Sequence, residues 1–137
     1  MTPGTVPPVA PLRNVHVAPL PSDAVAGIRA LAGSLGFDCV NVDLEGCDEK
    51  AEFLDRVSRA FEFPAWFGGN WDALFDCLAD LGWRPAPGYV LVLEHASGLR
   101  EAQPEVFDTA LTLMDDAASA WRERGIAFRV FVDASGR

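Results

Sequence analysis

Three aspartates recur at intervals of four residues in one short segment of the chain: Asp72, Asp76 and Asp80. A helix advances about 100° per residue, so this spacing predicts that the three carboxylates share one helix face. Like charges four residues apart destabilise a helix by roughly 0.2 to 0.5 kcal/mol per pair. The sequence offers no local cation to offset this, because Lys and Arg are absent between Arg59 and Arg84. A cationic partner would explain the stripe, and an ordinary solvated acidic face is the simpler alternative.

The same carboxylates could in principle act as a general acid and base, or hold a hard metal ion. Two carboxylates one helical turn apart on an exposed face have no evident burial to separate their pKa values. A hard cation needs about six or more oxygen ligands, whereas one helix supplies two or three. His16 and His95 have no nucleophile near them and are interpreted as loop residues. We therefore expect no enzyme, no catalytic residue, no metal site and no cofactor.

An aromatic and glycine-rich turn precedes the acidic segment. Trp66 and Phe67 stand directly before Gly68 and Gly69, which are both expected to supply the positive φ of a tight reversal. Asn70 follows and is a favoured N-cap residue for the helix. The helix then carries its apolar residues on a face of their own: Trp71, Leu74, Phe75 and Leu78. Aromatic rings beside charges are typical of interface centres, so Trp66 and Phe67 are candidates for partner contact as well as for core packing.

The segment from Pro64 to Leu78 resembles the inhibitory loop and helix of the barstar family, intracellular inhibitors of the ribonuclease barnase. The family pattern P-x-aromatic-aromatic-G-x-N-x-D-A-L-x-D-C-L is matched throughout this segment. The likeness continues more weakly into Val90–Glu94 and into the order strand, helix, helix, strand, helix, strand from about residue 37 onward. Residues 1–36 are not covered by it.

The resemblance implies that Asp76 is the main group to enter the nuclease active site, where its carboxylate takes the place of an RNA phosphate. Asp72 would act beside it, and the surrounding residues would contact the nuclease or shape the loop. The full set of partner-binding candidates is Trp66, Phe67, Gly68, Gly69, Asn70, Asp72, Ala73, Asp76, Asp80 and Trp83. Three positions depart from the family pattern, because Gly69, Ala120 and Arg124 stand where that pattern carries acids. Fewer negative contacts therefore remain at the rim of the site.

The overall charge agrees with a basic protein as the partner. The chain has 11 Lys and Arg against 20 Asp and Glu, a net charge of -9. Such a charge disfavours binding to nucleic acid and favours encounter with a cationic protein. The leading hypothesis is an inhibitor of a barnase-type ribonuclease, monomeric when free. The alternative is an acidic immunity or interaction module that neutralises a non-ribonuclease toxin, or regulates another basic protein, through the same surface.

Cysteine usage and the N-terminus favour a cytoplasmic protein. Three cysteines cannot all pair, and their scattered spacing matches no zinc pattern. The N-terminus shows neither a basic flank nor a long apolar run, so the sequence gives no sign of secretion or of membrane association.

Alternating strands and helices indicate an α/β fold with a parallel sheet. Residues 1–13 are expected to form a flexible Pro-rich tail, and residues 14–137 a single barstar-like domain. Within it, residues 14–36 add an N-terminal strand and helix. Residues 37–137 form the barstar-like core, a small parallel sheet of about three strands flanked by helices.

Local patterns place the individual elements. The first helix is expected to be capped by Ser22 or Asp23 and to turn four apolar residues inward: Val25, Ile28, Leu31 and Leu35. The second helix is expected to be capped by Asp48. Strands are expected at 14–20, 37–44, 88–94 and 126–132, the third of them buried on both sides as a continuous apolar run. A long helix is expected to begin at Pro104, a favoured first-turn position.

Overall fold

The structure, a computed structural model, describes residues 12–135 and arranges them as a parallel sheet with helices on both faces. The elements in chain order are β1 (Val15–Ala18), α1 (Ser22–Ser34), β2 (Asp38–Asp43), α2 (Lys50–Phe61), α3 (Trp71–Asp80), β3 (Gly88–Glu94), α4 (Ser97–Ala102), α5 (Pro104–Glu123) and β4 (Ala127–Asp133). The strand order is β1-β4-β3-β2, and every neighbouring pair is parallel. The expected α/β fold, with three core strands and one added strand, is confirmed.

Strand β3 lies inside the sheet and connects its two apolar layers. Its residues are buried from Gly88 to Leu93, as its unbroken apolar sequence predicts for an interior parallel strand. Leu91 and Leu93 face the larger core cluster, which is shared with α2, α3 and α5. Val90 and Val92 face the smaller cluster beneath α1. Helix α3, on which the sequence predicts the acidic face, is therefore supported by the larger of the two layers.

The added N-terminal strand is joined to the edge of β4 and fastened to α5. Val15 pairs with Val130 in the β1–β4 register. Just before β1, Asn14 is 2% exposed, and its backbone N–H donates to Asp115 Oδ1 at 2.8 Å. The Asn14 side-chain amide also donates to Asp115 Oδ1 at 3.2 Å and to Ser119 Oγ at 3.2 Å. This buried polar side chain is thus fully engaged, which fixes where the chain enters the sheet.

Two residues at the end of the expected tail contact the domain. Leu12 packs against the larger core cluster, and the N–H of Arg13 donates to Asp115 Oδ1 at 3.0 Å. The rest of that expected tail, residues 1–11, lies outside the described residues.

Helix α1 uses a different inward stripe from the one expected. Val25 and Ala32 are buried and Ile28 packs beside them, whereas Leu31 and Leu35 are 63% and 54% exposed. The expectation for the two leucines was wrong, because the small Ala32 lies against the sheet. Because a helix advances about 100° per residue, Leu31, one residue before Ala32, points to the side and not toward the sheet.

Two helix starts also differ from expectation. The N-cap of α1 is Pro21 and not Ser22 or Asp23, and the N-cap of α2 is Glu49 and not Asp48. Both observed N-caps have extended backbone and make no side-chain capping bond. The short helix α4 was not anticipated, and β4 begins one residue later than the pattern suggested.

Candidate partner-binding site

An aromatic cluster supports the loop between α2 and α3, and consists of Phe61, Phe63, Phe67 and Trp83. The Phe63 ring lies at its centre, with centroids 5.7 Å from Phe61, 4.9 Å from Phe67 and 6.0 Å from Trp83. Trp83 Nε1 donates to the carbonyl oxygen of Phe61 at 2.9 Å. Phe67 and Trp83 are therefore half-buried parts of the support. Phe63 was not among the predicted site residues, and its only signal in the sequence is its position just after the buried stripe of α2.

Trp66 differs from the other aromatic residues of the loop. Its side chain is 57% exposed, the most exposed aromatic among the described large hydrophobics. The N–H of Phe67 donates to the carbonyl oxygen of Pro64 at 3.0 Å, which closes the turn that carries Trp66. A large ring held outward on a closed turn is available for contact with another molecule.

The glycine turn and the cap fix the start of α3. Gly69 has φ of 71°, the left-handed conformation that glycine adopts without steric cost. Gly68 does not have positive φ, so that expectation was wrong: one left-handed residue completes the reversal before the extended Asn70. Asn70 Oδ1 accepts from the N–H of Ala73 at 2.8 Å, which confirms the predicted N-cap.

Helix α3 separates an apolar face from an acidic one. Leu74, Cys77 and Leu78 are fully buried. The side chains on the outer face, Asp72, Asp76 and Asp80, are exposed. Within residues 12–135, none of these three carboxylates forms an ion pair, and the one hydrogen bond among them is local, from the N–H of Gly82 to Asp80 Oδ1 at 3.2 Å.

A neighbouring lysine is directed to an aromatic ring and not to the acids. Lys50 Nζ lies 5.0 Å from the centroid of Trp71, a cation–π contact. The ring of Trp71 also lies 6.3 Å from that of Phe53. This contact joins the starts of α2 and α3 and leaves the acidic face of α3 open.

The pKa of the Cys77 thiol on α3 is influenced by the neighbouring aspartates. Burial raises the pKa of Cys77 to about 11, and the negative charges of Asp76 and Asp80 contribute to the shift. Burial also raises the pKa of Cys39 and of Cys47. All three cysteines are unpaired, and their thiols stay protonated near neutral pH.

The C-terminal end of α3 is tied to α5 by two side chains. Trp121 Nε1 donates to the carbonyl oxygen of Leu78 at 2.8 Å, and Arg124 Nη2 donates to that of Ala79 at 2.6 Å. The guanidinium also lies 3.8 Å from the centroid of the Trp121 ring. A cation at this end complements the helix dipole, which gives Arg124 a structural role at a position where the family pattern has an acid.

Comparison with known proteins assigns the chain to a family. Residues 37–133 match the family model described as Barstar (barnase inhibitor), which is well over half of the 137 residues. The chain belongs to the barstar family. A search of curated proteins gave no match. In this barstar-family protein the matched region contains the whole of the loop and α3, whereas β1 and α1 precede it.

The barstar-family protein also has a groove beside the acidic stripe, which we call the acidic groove. It lies between residues 71–76 of α3 and 108–116 of α5 and has a volume of about 940 Å³. Its apolar lining comes from Leu12, Trp71, Phe75, Leu111 and Leu113. Its carboxylates come from Asp72 and Asp76 on α3 and from Asp108 and Asp116 on α5. Of the described residues that line it, none is Lys or Arg.

Two other features are absent from the described part of the chain. No group of three or more His, Cys, Asp or Glu side chains is arranged to hold a metal ion there. No helix in that part is long and apolar enough to cross a membrane.

Proposed function

We propose that this barstar-family protein inhibits a ribonuclease by covering its active site with the loop and α3, from Trp66 to Asp76. The carboxylates of Asp76 and Asp72 take the positions that RNA phosphates would occupy among the cationic groups of the enzyme. The observation that carries this proposal is that both carboxylates are exposed and, within residues 12–135, have no ion-pair partner in their own chain.

Rigidity of the surface supports the proposal. Helix α3 is anchored by its fully buried side chains, its start is fixed by the Asn70 cap, and its end is held by Trp121 and Arg124. The aromatic cluster holds the loop from beneath. A surface already fixed in its binding conformation loses little conformational entropy when it docks.

Charge supports the same partner class. Enzymes that cleave RNA present cationic groups to a polyanion, and a net charge of -9 attracts such a surface. Long-range attraction of this kind raises the rate of encounter and selects among partners. The free protein is proposed to be a monomer, and its three unpaired cysteines favour the reducing cytoplasm.

The test is whether inhibition is competitive at the nuclease active site. The purified chain is assayed against a panel of small basic ribonucleases, barnase included, with a fluorogenic RNA substrate. We expect one or more of them to be inhibited with a 1:1 stoichiometry (about one inhibitor per enzyme), and saturation with a mononucleotide should slow complex formation.

Two outcomes would contradict the proposal. One is inhibition that a bound mononucleotide does not affect, which would place the contact outside the active site. The other is no inhibition across the panel together with capture, from the native host, of a basic protein that is not a ribonuclease. That second result would support the alternative interaction module.

A further inference from the structure

A second region of exposed apolar surface lies outside the loop and α3. Of the four large hydrophobic side chains that are exposed within the described residues, Trp66 belongs to the loop. The other three lie in β1, in α1 or directly after α1: Val17, Leu31 and Leu35. All three precede the region that the family model matches. Only two of the 13 residues of α1 are charged, and a helix that is apolar on most sides is normally covered by other elements. The exposed side of α1 is therefore suited to a further contact.

The sheet has an uncovered half beside α1. Helix α1 packs on β2 and β3, and the strand order places β4 and β1 next to them. Phe131 of β4 is half-buried and packs against the apolar cluster beneath α1. Arg129, two residues earlier, shares this face of the sheet, as does His16, whose ring stacks on Phe131 with centroids 5.4 Å apart. His16 and Arg129 are exposed. Parallel sheets are normally covered on both faces, so the described residues leave half of this layer incomplete.

The exposed leucines border the uncovered half. Burial raises the pKa of Cys39 on β2, and the charge of Arg29 opposes that shift, which places Arg29 on the β2 side of α1. Leu31 follows Arg29 by about 200° around the helix, and Leu35, four residues later, lies on nearly the same side. Both leucines are therefore on the flank of α1 that faces β4. They form one wall of a recess whose floor is β4 and β1, and we call it the α1 recess.

We propose that the α1 recess receives an amphipathic α-helix of another protein, which lays its apolar side on Leu31, Leu35 and Phe131 and directs carboxylates toward Arg129. This inference goes beyond ribonuclease inhibition and does not depend on it. Packed helices lie about 8 to 10 Å apart and neighbouring strands about 4.8 Å apart, so one helix beside α1 covers two strands. The floor of the recess consists of two strands, β4 and β1. Its width therefore corresponds to one helix.

Charge indicates that this helix is acidic. Arg129 has no ion-pair partner within residues 12–135, and neither has Arg122. The two arginines line a notch of about 270 Å³ at the start of β4, and none of the described residues that line it is Asp or Glu. A guanidinium forms its strongest hydrogen bonds with carboxylates. This end of the recess is thus locally cationic in a chain with a net charge of -9.

Sequence and charge favour another protein over this chain as the source of the helix. Residues 1–11 contain four prolines and neither Asp nor Glu, a composition unsuited to a helix that carries carboxylates. Residues 136–137 are too few to form one. A second copy carries the same net charge of -9 and would be repelled at long range. Its own α1 is already packed on its own sheet.

The direct test titrates the full-length chain, labelled with ¹⁵N, with a helical peptide about 15 residues long, enough for four turns. The peptide is built from Leu, Ala and Glu, with leucines at i, i+3, i+4 and i+7 and glutamates along one edge. The control peptide has lysine in place of every glutamate. We expect saturable binding of the glutamate peptide with a Kd of about 0.1 to 1 mM, and binding of the lysine peptide at least about fivefold weaker.

The backbone amide shifts show where the peptide binds. They should be concentrated in β1, in β4 and along residues 24–35. Shifts concentrated at residues 66–80, equal binding of the two peptides, or no saturable binding of either would overturn the inference.

Variants test the wall and the charge of the recess separately. Leu31→Ser removes an exposed side chain, so the urea midpoint of the free protein should not change, whereas binding should weaken about tenfold. Arg129→Gln should weaken binding of the glutamate peptide by about two- to fivefold, the range for one exposed charge pair. Arg59→Gln removes the same charge from α2, on the opposite face of the sheet, and should leave binding unchanged. Equal binding by wild type and Leu31→Ser would reject the α1 recess as the docking site.

Sedimentation of the free chain tests the second copy as the occupant. Wild type and Leu31→Ser should both sediment as monomers. A wild-type dimer that Leu31→Ser abolishes would assign the recess to a second copy and overturn the inference. The outcome for ribonuclease inhibition is separate, because α1 and α3 pack in different apolar layers on opposite faces of the sheet.

Discussion

Helices α2 and α3 follow each other in the chain and bury apolar stripes in the same core cluster, yet they differ in whether their charged side chains form ion pairs. On α2, Arg56 Nε lies 2.8 Å from Glu52 and Arg59 Nε lies 3.0 Å from Asp55, both at i,i+4 spacing. On α3, the three aspartates at the same spacing have no such partners within the described residues. The charges of α2 are thus paired within the helix, whereas those of α3 are left unpaired, as the proposed binding role of α3 would require.

The two helices also differ in how their starts are capped. Helix α2 starts at Glu49 without a side-chain cap, and Arg59 lies in its own last turn. Helix α3 has the Asn70 cap at its start, and the cation at its end is Arg124, from α5. Trp83 Nε1 also donates to the carbonyl oxygen of Phe61 at the end of α2, so the side-chain cap at the start is what distinguishes α3 from α2.

The largest effect should come from removing the central carboxylate of α3. Asp76→Ala is expected to weaken binding to a responsive ribonuclease by about 3 to 5 kcal/mol, because it leaves cationic groups of the enzyme buried without a partner. This corresponds to more than about a hundredfold in Kd, measured by inhibition or by surface binding kinetics.

The matched control for that variant lies on α2. Asp55→Ala removes the same group from a paired, exposed position and should leave Kd unchanged within about twofold. If both variants lost affinity equally, binding would follow total charge, and the contrast between the two helices would carry no functional meaning. Circular dichroism of both variants confirms that the fold persists.

A smaller effect should come from the difference in capping. Asn70→Ala removes the acceptor for the N–H of Ala73 and should lower the free energy of unfolding by about 1 kcal/mol. Glu49→Ala removes a side chain that caps nothing and should change it by less than about 0.5 kcal/mol. Urea denaturation of the two variants checks the pair, and equal losses would mean that the cap of α3 is not special.

Parts of this site could be predicted because their cause is local. The four-residue spacing of the aspartates gives the acidic face, Asn70 gives the cap, and the unbroken apolar run from Gly88 gives the interior strand. Each of these depends on helix or strand periodicity and on neighbours in the sequence.

Other parts could not be predicted because they depend on tertiary packing. Asp108 and Asp116 look like ordinary surface acids until α5 is placed beside α3, and Leu12 lay within the expected tail. On α1 the periodicity alone could not show that Ala32 and not Leu31 meets the sheet. The sequence therefore predicted the acidic helix of the candidate site, whereas the groove next to it is visible only in the packed structure.

The α2 side of the molecule should also have a pH-dependent charge pair. Asp43, whose carbonyl oxygen accepts from Arg56 Nη1 at 3.0 Å, lies 2.7 Å from His95 Nδ1. The hydrogen bond to Asp43 raises the pKa of His95 above 6.5, and the bond to His95 lowers the pKa of Asp43 below 3.8. The stabilisation is full only when both groups are charged.

The directions of these two pKa shifts determine how the stability contributed by the pair changes with pH. Stabilisation by His95 is complete below its ordinary pKa of 6.5 and is lost as pH rises through its raised pKa. Stabilisation by Asp43 is complete above 3.8 and is lost as pH falls through its lowered pKa. Both side chains are exposed, so the pair contributes less than about 1 kcal/mol.

The measurement compares the unfolding free energy of wild type and His95→Gln at several pH values. The two proteins should differ most between pH 3.8 and 6.5 and converge in alkaline solution. If the difference in unfolding free energy between wild type and His95→Gln stayed constant into alkaline pH, the charge pair of His95 and Asp43 would not be its cause. Asp76→Asn, on the α3 side, should not alter that pH dependence.

The smallest predicted effect gives the clearest contrast between α2 and α3. The same Asp→Asn change should alter the free energy of unfolding in opposite directions on the two helices. Asp76→Asn removes repulsion from Asp72 and Asp80 and should stabilise the free protein by roughly 0.2 to 0.5 kcal/mol per pair. Asp55→Asn breaks the pair with Arg59 and should destabilise it by about 0.3 to 0.5 kcal/mol.

Thermal unfolding at low and high salt measures both changes. Each should shrink at about 1 M salt, where the screening length is about 3 Å. If Asp76→Asn destabilised the free protein, as Asp55→Asn is expected to do, the acidic stripe of α3 would contribute to folding. If instead Asp76→Asn stabilises the free protein and Asp76→Ala abolishes binding, then the repulsive charges of α3 are retained because the partner requires them. The fold itself does not require them.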